Sequence, residues 1–360
     1  MAKALNVGVL TGGGDCPGLN AVIRAVTACL IRQCGARVLG IHDGFAGLME
    51  NQAEPLTWER VDDLLAVGGT ILGTTNRLNP LHSEAATQQA LDNANALGLD
   101  ALVAIGGDGT LTIAHALAQR GLNVVGVPKT IDNDIEGCER SFGFDTAVAT
   151  ATHALEQLQT TGQSHGRIMI LETMGRHAGW IALEAGLAGA ADVILIPEVD
   201  HHVEHLAAFC RDREARHLPT LICMGEGSKA ADGDITWDAP LAGQTAQRLG
   251  GAAMVLRDRL QPLVRSEIRA TVLGHVQRGG SPTPYDRVLS TRYGVHAANL
   301  VANRRFGRVV TLQNGQLTDI GLEQVSGRQR RIPANDPLLL TARQLGICLG
   351  DAPCTHTHCP

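Results

Sequence analysis

Three short segments of this chain, two of them glycine-rich, carry carboxylates or a cation in patterns that suit phosphate chemistry. Gly106-Gly107-Asp108-Gly109-Thr110 follows the apolar run Ala101 to Ile105 and opens a helical pattern. Glycines at a strand-to-helix turn let backbone N–H groups approach an anion, and a carboxylate beside them can hold a divalent ion. Asp108 as a helix cap or turn residue is the lesser alternative in this strand-loop-helix setting. Pro128-Lys129-Thr130-Ile131-Asp132-Asn133-Asp134 follows a second apolar run, Val124 to Val127. Phosphoryl transfer to an alcohol calls for a carboxylate base, metal support and a cation on the phosphates. This segment offers two acids, a hydroxyl and an ammonium. Acids at i and i+2 also fit a solvated Asx turn, so the segment takes its catalytic meaning from the first one. The third segment, Thr11-Gly12-Gly13-Gly14-Asp15, lies between a strand and a helix. It matches neither G-x-G-x-x-G nor G-x-x-x-x-G-K-S/T, so neither the dinucleotide nor the P-loop pattern applies.

Isolated basic residues stand near other strand ends. Met174-Gly175-Arg176 follows the run Ile168 to Leu171, with Arg167 just before it, and Arg269, His275 and Arg278 lie on and after one strand. Arginine forks bind phosphate bidentately, and several converging would recognise a phosphorylated sugar. A lone arginine at a strand end is also an ordinary surface residue. Glu226, within Gly-Glu-Gly, could accept sugar hydroxyls or cap the next helix.

The elements that must position these groups are legible from periodicity. Strands are expected at Leu5 to Leu10, Arg37 to Ile41, Ala101 to Ile105, Val124 to Val127, Ile168 to Leu171, Val193 to Ile196, Thr220 to Met224 and Arg269 to Leu273. Helices are expected from about Asn20 to Cys34, stopped by Gly35, from Leu111 to Gln119 and from Phe144 to Leu158. Phe144, Val148, Ala151, Leu155 and Leu158 alternate spacings of four and three, which is one helix face. Strands joined by helices imply an α/β protein with mainly parallel sheets sandwiched by helices, and ligands at the carboxyl ends of the strands.

Composition agrees. The 360 residues are 44% hydrophobic but only 3% aromatic, with 42 glycines, enough for two lobes built on aliphatic cores and many tight turns. A formal charge of −6 argues against nucleic acid as the main ligand. An apolar strand begins almost at the N-terminus without a signal-type leader, and no apolar run reaches membrane-spanning length. A cytoplasmic protein with no membrane partner is expected. The cysteines follow no metal or disulfide spacing, and Cys354, His356, His358 and Cys359 read as a polar C-terminus more readily than as a metal nest.

Taken together, GVLTGGGDCPGLNAVIRAV, GGTILGTTNR, GGDGT, PKTIDND, GFDTA, MGRHAGW and RATVLGHVQRGGSPTPYDR resemble the 6-phosphofructokinase family, in the family's order over roughly residues 5 to 315. The resemblance implies a larger nucleotide-binding lobe of residues 1–143 plus 276–327, and a smaller sugar-phosphate lobe of residues 144–275 plus 328–360. It implies transfer of the γ-phosphoryl group of ATP to the 1-hydroxyl of fructose 6-phosphate with Mg2+. Asp132 would be the base, Thr130 would lie beside the transferring group, and Asp134 would support the charge arrangement. Gly13 and Arg77 would stabilise the phosphoryl group. Gly107, Asp108, Gly109 and Thr110 would serve ATP, with Asp108 on the metal. Met174, Gly175, Arg176, Glu226, His275 and Arg278 would hold the sugar phosphate, joined by Arg167 and Arg269 from a neighbouring subunit. A homo-oligomer, typically a tetramer, follows.

Two positions depart from the family pattern. ATP users carry glycine at both positions matching Gly109 and Lys129, whereas pyrophosphate users carry Asp and Lys; this chain has the mixed pair. An Asp at 109 would set a carboxylate where the α-phosphate of ATP belongs, so Gly109 favours ATP, while a flexible lysine can accompany either donor. Arg24 matches a basic position of the bacterial effector site, but Ala28 and Gln159 stand where further arginines would be. Phosphorylated effectors should bind there more weakly or differently.

Overall fold

A computed structural model of the chain describes residues 4–75, 78–238 and 248–353. Strands β1 (Asn6–Thr11), β2 (Arg37–Ile41), β3 (Ala53–Leu56), β4 (Ala101–Gly106) and β5 (Val124–Pro128) come first. They are followed by β6 (Ile168–Thr173), β7 (Val193–Leu195), β8 (Thr220–Gly225), β9 (Trp237–Asp238), β10 (Arg248–Leu249) and β11 (Ile268–Val272). β12 (Arg308–Gln313) and β13 (Gln316–Gly321) close the series. The chain divides into two compact units, one of Met1–Thr146 and Arg278–Arg330, the other of Ala147–Gln277 and Arg331–Pro360.

The first unit holds a seven-stranded sheet in the order β13-β12-β5-β4-β1-β2-β3. Its inner strands run parallel, and β4 is buried along its whole length. Such burial on both faces is what near-continuous aliphatic strands require. Helix Leu19–Cys34 ends at Gly35 in the left-handed conformation, as its C-terminal glycine predicts. It packs on helix Pro284–Ala302, where a Cβ on Gly294 would lie 2.7 Å from that of Ala25. Small residues thus set the approach of the two helices.

Two edge strands differ from the expected pattern. β3 and β13 are antiparallel to their neighbours. The β12–β13 hairpin turns on Asn314 and Gly315, both with positive φ (51° and 71°), the signature of a two-residue turn. The Asn-Gly pair was available in the sequence, but the alternation of helices and strands draws attention to parallel crossovers instead.

The second unit carries an all-parallel sheet, β11-β6-β8-β7, and the short antiparallel pair β9–β10. Its core gathers Ile170, Val193, Leu206, Phe209, Ile222 and Leu256. Helix Phe144–His165 begins in the first unit and continues in the second. Phe144, Ala151 and Leu155 of the predicted face are fully buried, each larger side chain contributing about 2–3 kcal/mol.

Candidate active site

In the first unit the site is assembled by strand register. β5, β4 and β1 are adjacent and parallel, with Thr11 opposite Ile105 and Gly106 opposite Pro128. Their carboxyl ends therefore lie level, and the three chemistry-bearing segments emerge side by side. Backbone bonds hold them there: Gly12 N donates to Ile105 O (2.9 Å) and Lys129 N to Gly106 O (2.9 Å).

Asp108, Gly109 and Thr110 form the first turn of helix Asp108–Gln119 rather than a loop ahead of it, so the helix starts three residues before the periodicity suggests. Thr110 is buried against the glycines: a Cβ on Gly12 would come within 2.6 Å of its Oγ1, and one on Gly106 within 2.3 Å of its Cβ. Its side chain thus fills the space those two glycines leave. Gly109 is exposed, and a Cβ there would meet nothing within 4 Å.

The first glycine loop is braced from three sides. Gly13 adopts φ 78°, and its carbonyl accepts from Thr74 Oγ1 (2.6 Å). The buried Lys129 ammonium donates to Gly14 O, and Arg278 NH1 donates to Asp15 O (3.0 Å). Burial holds the Lys129 ammonium below the usual lysine range, against the opposing pull of Asp132 and Asp134. Cys16, completely buried under the same loop, has its thiol pushed up to about 12 by burial and is inert as a nucleophile.

Thr130, Asp132 and Asp134 are all buried after β5. Asp132 N donates to Thr130 Oγ1 (3.0 Å), while Asp132 Oδ1 has no partner among the described residues. Burial, followed by the Asp132 and Asp108 carboxylates, raises the Asp134 carboxyl to about 7. A cation between these acids would relieve that cost. Arg77 lies outside the described residues.

The second unit repeats the device. β6 and β8 end level, Thr173 opposite Gly225, and β11 lies beside β6 with Val272 opposite Glu172. Met174, Gly175, Arg176 and Glu226 are thereby brought together. Arg176 sits in the left-handed region (φ 52°), its N–H donating to Glu226 Oε1 (3.0 Å), and Gly175 has φ 139°. Met174 N donates to Gln277 Oε1 (2.7 Å). His275 is exposed on the segment after β11.

Arg167 and Arg269 do not join this group. Arg167 precedes β6 and Arg269 pairs with Met169 near its start, so both lie toward the opposite end of a strand about 20 Å long. There they share the carboxylate of Glu267, Arg167 Nε at 2.6 Å from Oε2 and Arg269 on Oε1. Arg24 is likewise engaged, bonded to Asp62 O (3.0 Å) and stacked over Trp58.

Sequence reasoning overlooked two buried residues. Gln277 stands inside the HVQR motif between two residues that were singled out. Glu172, buried near the end of β6, accepts from Gly251 N (3.1 Å) and Ala253 N (2.7 Å) at the start of helix Ala252–Leu260. An acid embedded in an aliphatic strand was the available signal.

Comparison with known proteins accords with this arrangement. Residues 6–301 match the phosphofructokinase family model. ATP-dependent 6-phosphofructokinase 2 of Clostridium perfringens is 44% identical over 98% of this chain and 100% of its own. A pyrophosphate–fructose 6-phosphate 1-phosphotransferase of Streptomyces coelicolor is 43% identical over 96% of this chain and 100% of its own. Among solved structures, a Pichia pastoris phosphofructokinase in the T-state aligns with a TM-score of 0.79 at 30% identity, over 90% of this chain and 36% of that longer one. The chain belongs to the phosphofructokinase family.

Proposed function

We propose that the chain is an ATP-dependent 6-phosphofructokinase, transferring the γ-phosphoryl group of ATP to the 1-hydroxyl of fructose 6-phosphate in glycolysis. The observation that carries the reading is Asp132, buried between Thr130 and Asp134 with one carboxylate oxygen unpartnered among the described residues. A base in this position needs an acceptor site left open for the substrate hydroxyl. Asp132 takes the proton of that hydroxyl, and Thr130 lies beside the phosphoryl group in flight. The N–H of Gly13 and the guanidinium of Arg77 stabilise the charge that develops on it. In this reading the first unit binds the nucleotide on Gly107, Asp108, Gly109 and Thr110. Met174, Gly175, Arg176, Glu226, His275 and Arg278 serve the sugar phosphate.

Mg2+ fits this residue set. Among the described residues no cluster of three or more His, Cys, Asp or Glu side chains forms a cage for a metal ion. Magnesium is ordinarily held by one or two carboxylates together with substrate phosphates and water. Asp108 would hold it, and the ion would supply charge neutralisation on the phosphates.

Gly109 supports ATP as donor: the space beyond its Cα is open, and no side-chain charge stands there. Lys129, the residue that pyrophosphate users carry at its position, keeps pyrophosphate as the second reading. The position of Arg167 and Arg269 away from the sugar loops supports a homo-oligomer in which they serve a neighbouring subunit. No helix among the described residues is long and apolar enough to cross a membrane, and we place the enzyme in the cytoplasm. The engagement of Arg24 supports weakened effector control at that position.

The test is fructose 1,6-bisphosphate formation by purified protein with MgATP and, separately, with pyrophosphate. Turnover with MgATP that disappears in Asp132→Ser is expected. Turnover with pyrophosphate alone would transfer the chain to the second reading, and product formation surviving in Asp132→Ser would remove Asp132 as the base.

A further inference from the structure

The turn that carries Asp132 and Asp134 is held by two residues that have no role in the chemistry just described. Asn133, 2% exposed, occupies the left-handed region at φ 54°, which among side-chain-bearing residues asparagine tolerates best. Its Oδ1 accepts from Ser141 N (2.9 Å), and its Nδ2 donates to Glu139 O (3.3 Å). Ser141 Oγ in turn donates to Thr130 O (2.7 Å). From the other side, Arg330 N donates to Asp134 O (2.8 Å), and Arg330 NH1 donates to Asn133 O (3.3 Å) and Glu139 O (3.0 Å). Gln329 forms a bridge with Ile135.

The main chain from Thr130 to Ile135 is therefore tied at Thr130 O, Asp132 N, Asn133 O, Asp134 O and Ile135. Amid this bonding, Asp132 Oδ1 alone among the carboxylate oxygens of the turn is buried without a partner among the described residues. We propose that Asn133 and Arg330 are positioning residues for the phosphoryl transfer, clamping the turn so that Asp132 is pre-aimed while one of its oxygens stays open. The inference rests on the functional reading above. Its physical basis is preorganisation: a fixed base needs no reorientation during the reaction, and a misplacement of about 1 Å can cost about 100-fold in rate.

Asn133→Gly keeps the left-handed backbone and deletes only the side-chain bonds, and Arg330→Ala deletes the guanidinium bonds to Asn133 O and Glu139 O while leaving the backbone bond to Asp134 O. Each is compared with wild type for kcat, the KM of both substrates and the melting midpoint. Expected are a fall in kcat of at least tenfold, KM values within threefold, an unchanged melting midpoint in at least one variant, and partial recovery of kcat in Arg330→Lys. Wild-type kcat in both variants overturns the proposal. So does a raised KM at unchanged kcat, which would mark a binding role, or a kcat loss that only tracks loss of folded protein. Wild-type protein inactive on fructose 6-phosphate would instead strike the functional reading itself.

Discussion

Gly109→Asp should make the protein more stable and a much poorer user of ATP, and the two effects can be worked out separately. Position 109 is in the first turn of helix Asp108–Gln119, is exposed, has ordinary backbone geometry, and offers open space to a new Cβ. Replacing glycine there removes part of its helix penalty, and a carboxylate near a helix N-terminus interacts well with the dipole. Repulsion from adjacent Asp108 takes some of this back, leaving a gain of about 0.5–1 kcal/mol and a melting midpoint about 1 °C higher. For the donor the sign reverses. A carboxylate about 5 Å from a phosphate charge, at an effective dielectric near 20, costs about 3 kcal/mol. That corresponds to a loss of roughly 150-fold in kcat/KM for MgATP. The assay is fructose 1,6-bisphosphate formation over a MgATP series, run beside a thermal melt of the same preparation. Pyrophosphate turnover, measured in parallel, should fall less or rise. A kcat/KM for MgATP within twofold of wild type would refute the electrostatic reasoning, and a lowered melting midpoint would refute the steric part.

Three other outcomes follow from the geometry. The raised Asp134 carboxyl puts the acid limb of kcat/KM for fructose 6-phosphate near pH 7 rather than near 4, and Lys129→Met should move it to still higher pH by withdrawing a cation from Asp134; a pH–rate profile of both proteins checks this. His201 is buried, and that burial, followed by the Arg259 charge, lowers its imidazole to about 4. Its folded-state value lies below the unfolded one, so its contribution is present above about pH 6.5 and is lost as pH falls through about 4, to at most about 3 kcal/mol; denaturant melts between pH 7.5 and 4 should show a flatter slope in His201→Gln. Glu172→Gln sets an amide N–H against the N–H of Gly251 or Ala253 and should cost about 1–3 kcal/mol by urea unfolding while raising the KM for fructose 6-phosphate severalfold.

The parts of the site legible in the sequence were those with local causes. A strand run, a glycine turn and an acid follow one another after β4, and a strand run, a lysine and two acids after β5, so both loops could be read directly. Parallel pairing then brings them level without further information. What periodicity misjudged was where a helix begins: Asp108 to Thr110 carry no apolar rhythm, because their helical turn is stabilised by Thr110 filling the space over Gly106 and Gly12. The antiparallel edges were missed for a related reason. β3 and β13 are half-exposed, so they lack the continuous aliphatic run of the buried strands. Arg330 and Glu172 act through bonds to residues far along the chain, and a residue whose meaning is its distant partner leaves no local pattern; Asn133 bonds six and eight residues away, across a turn that periodicity does not describe.

The strand order of the first sheet also has a consequence for synthesis. The strands β1 to β5 are complete once Pro128 has been made, yet the neighbour that covers β5 is β12, which begins at Arg308. For about 180 residues of translation the apolar edge Val124-Val125-Gly126-Val127 has no pairing partner from its own chain. At 5–20 residues per second that interval is about 9–36 s. An unpaired aliphatic edge open for so long invites pairing with other nascent chains. Slow elongation after codon 128 should therefore lower the soluble yield, and a chaperone that masks strand edges should restore it.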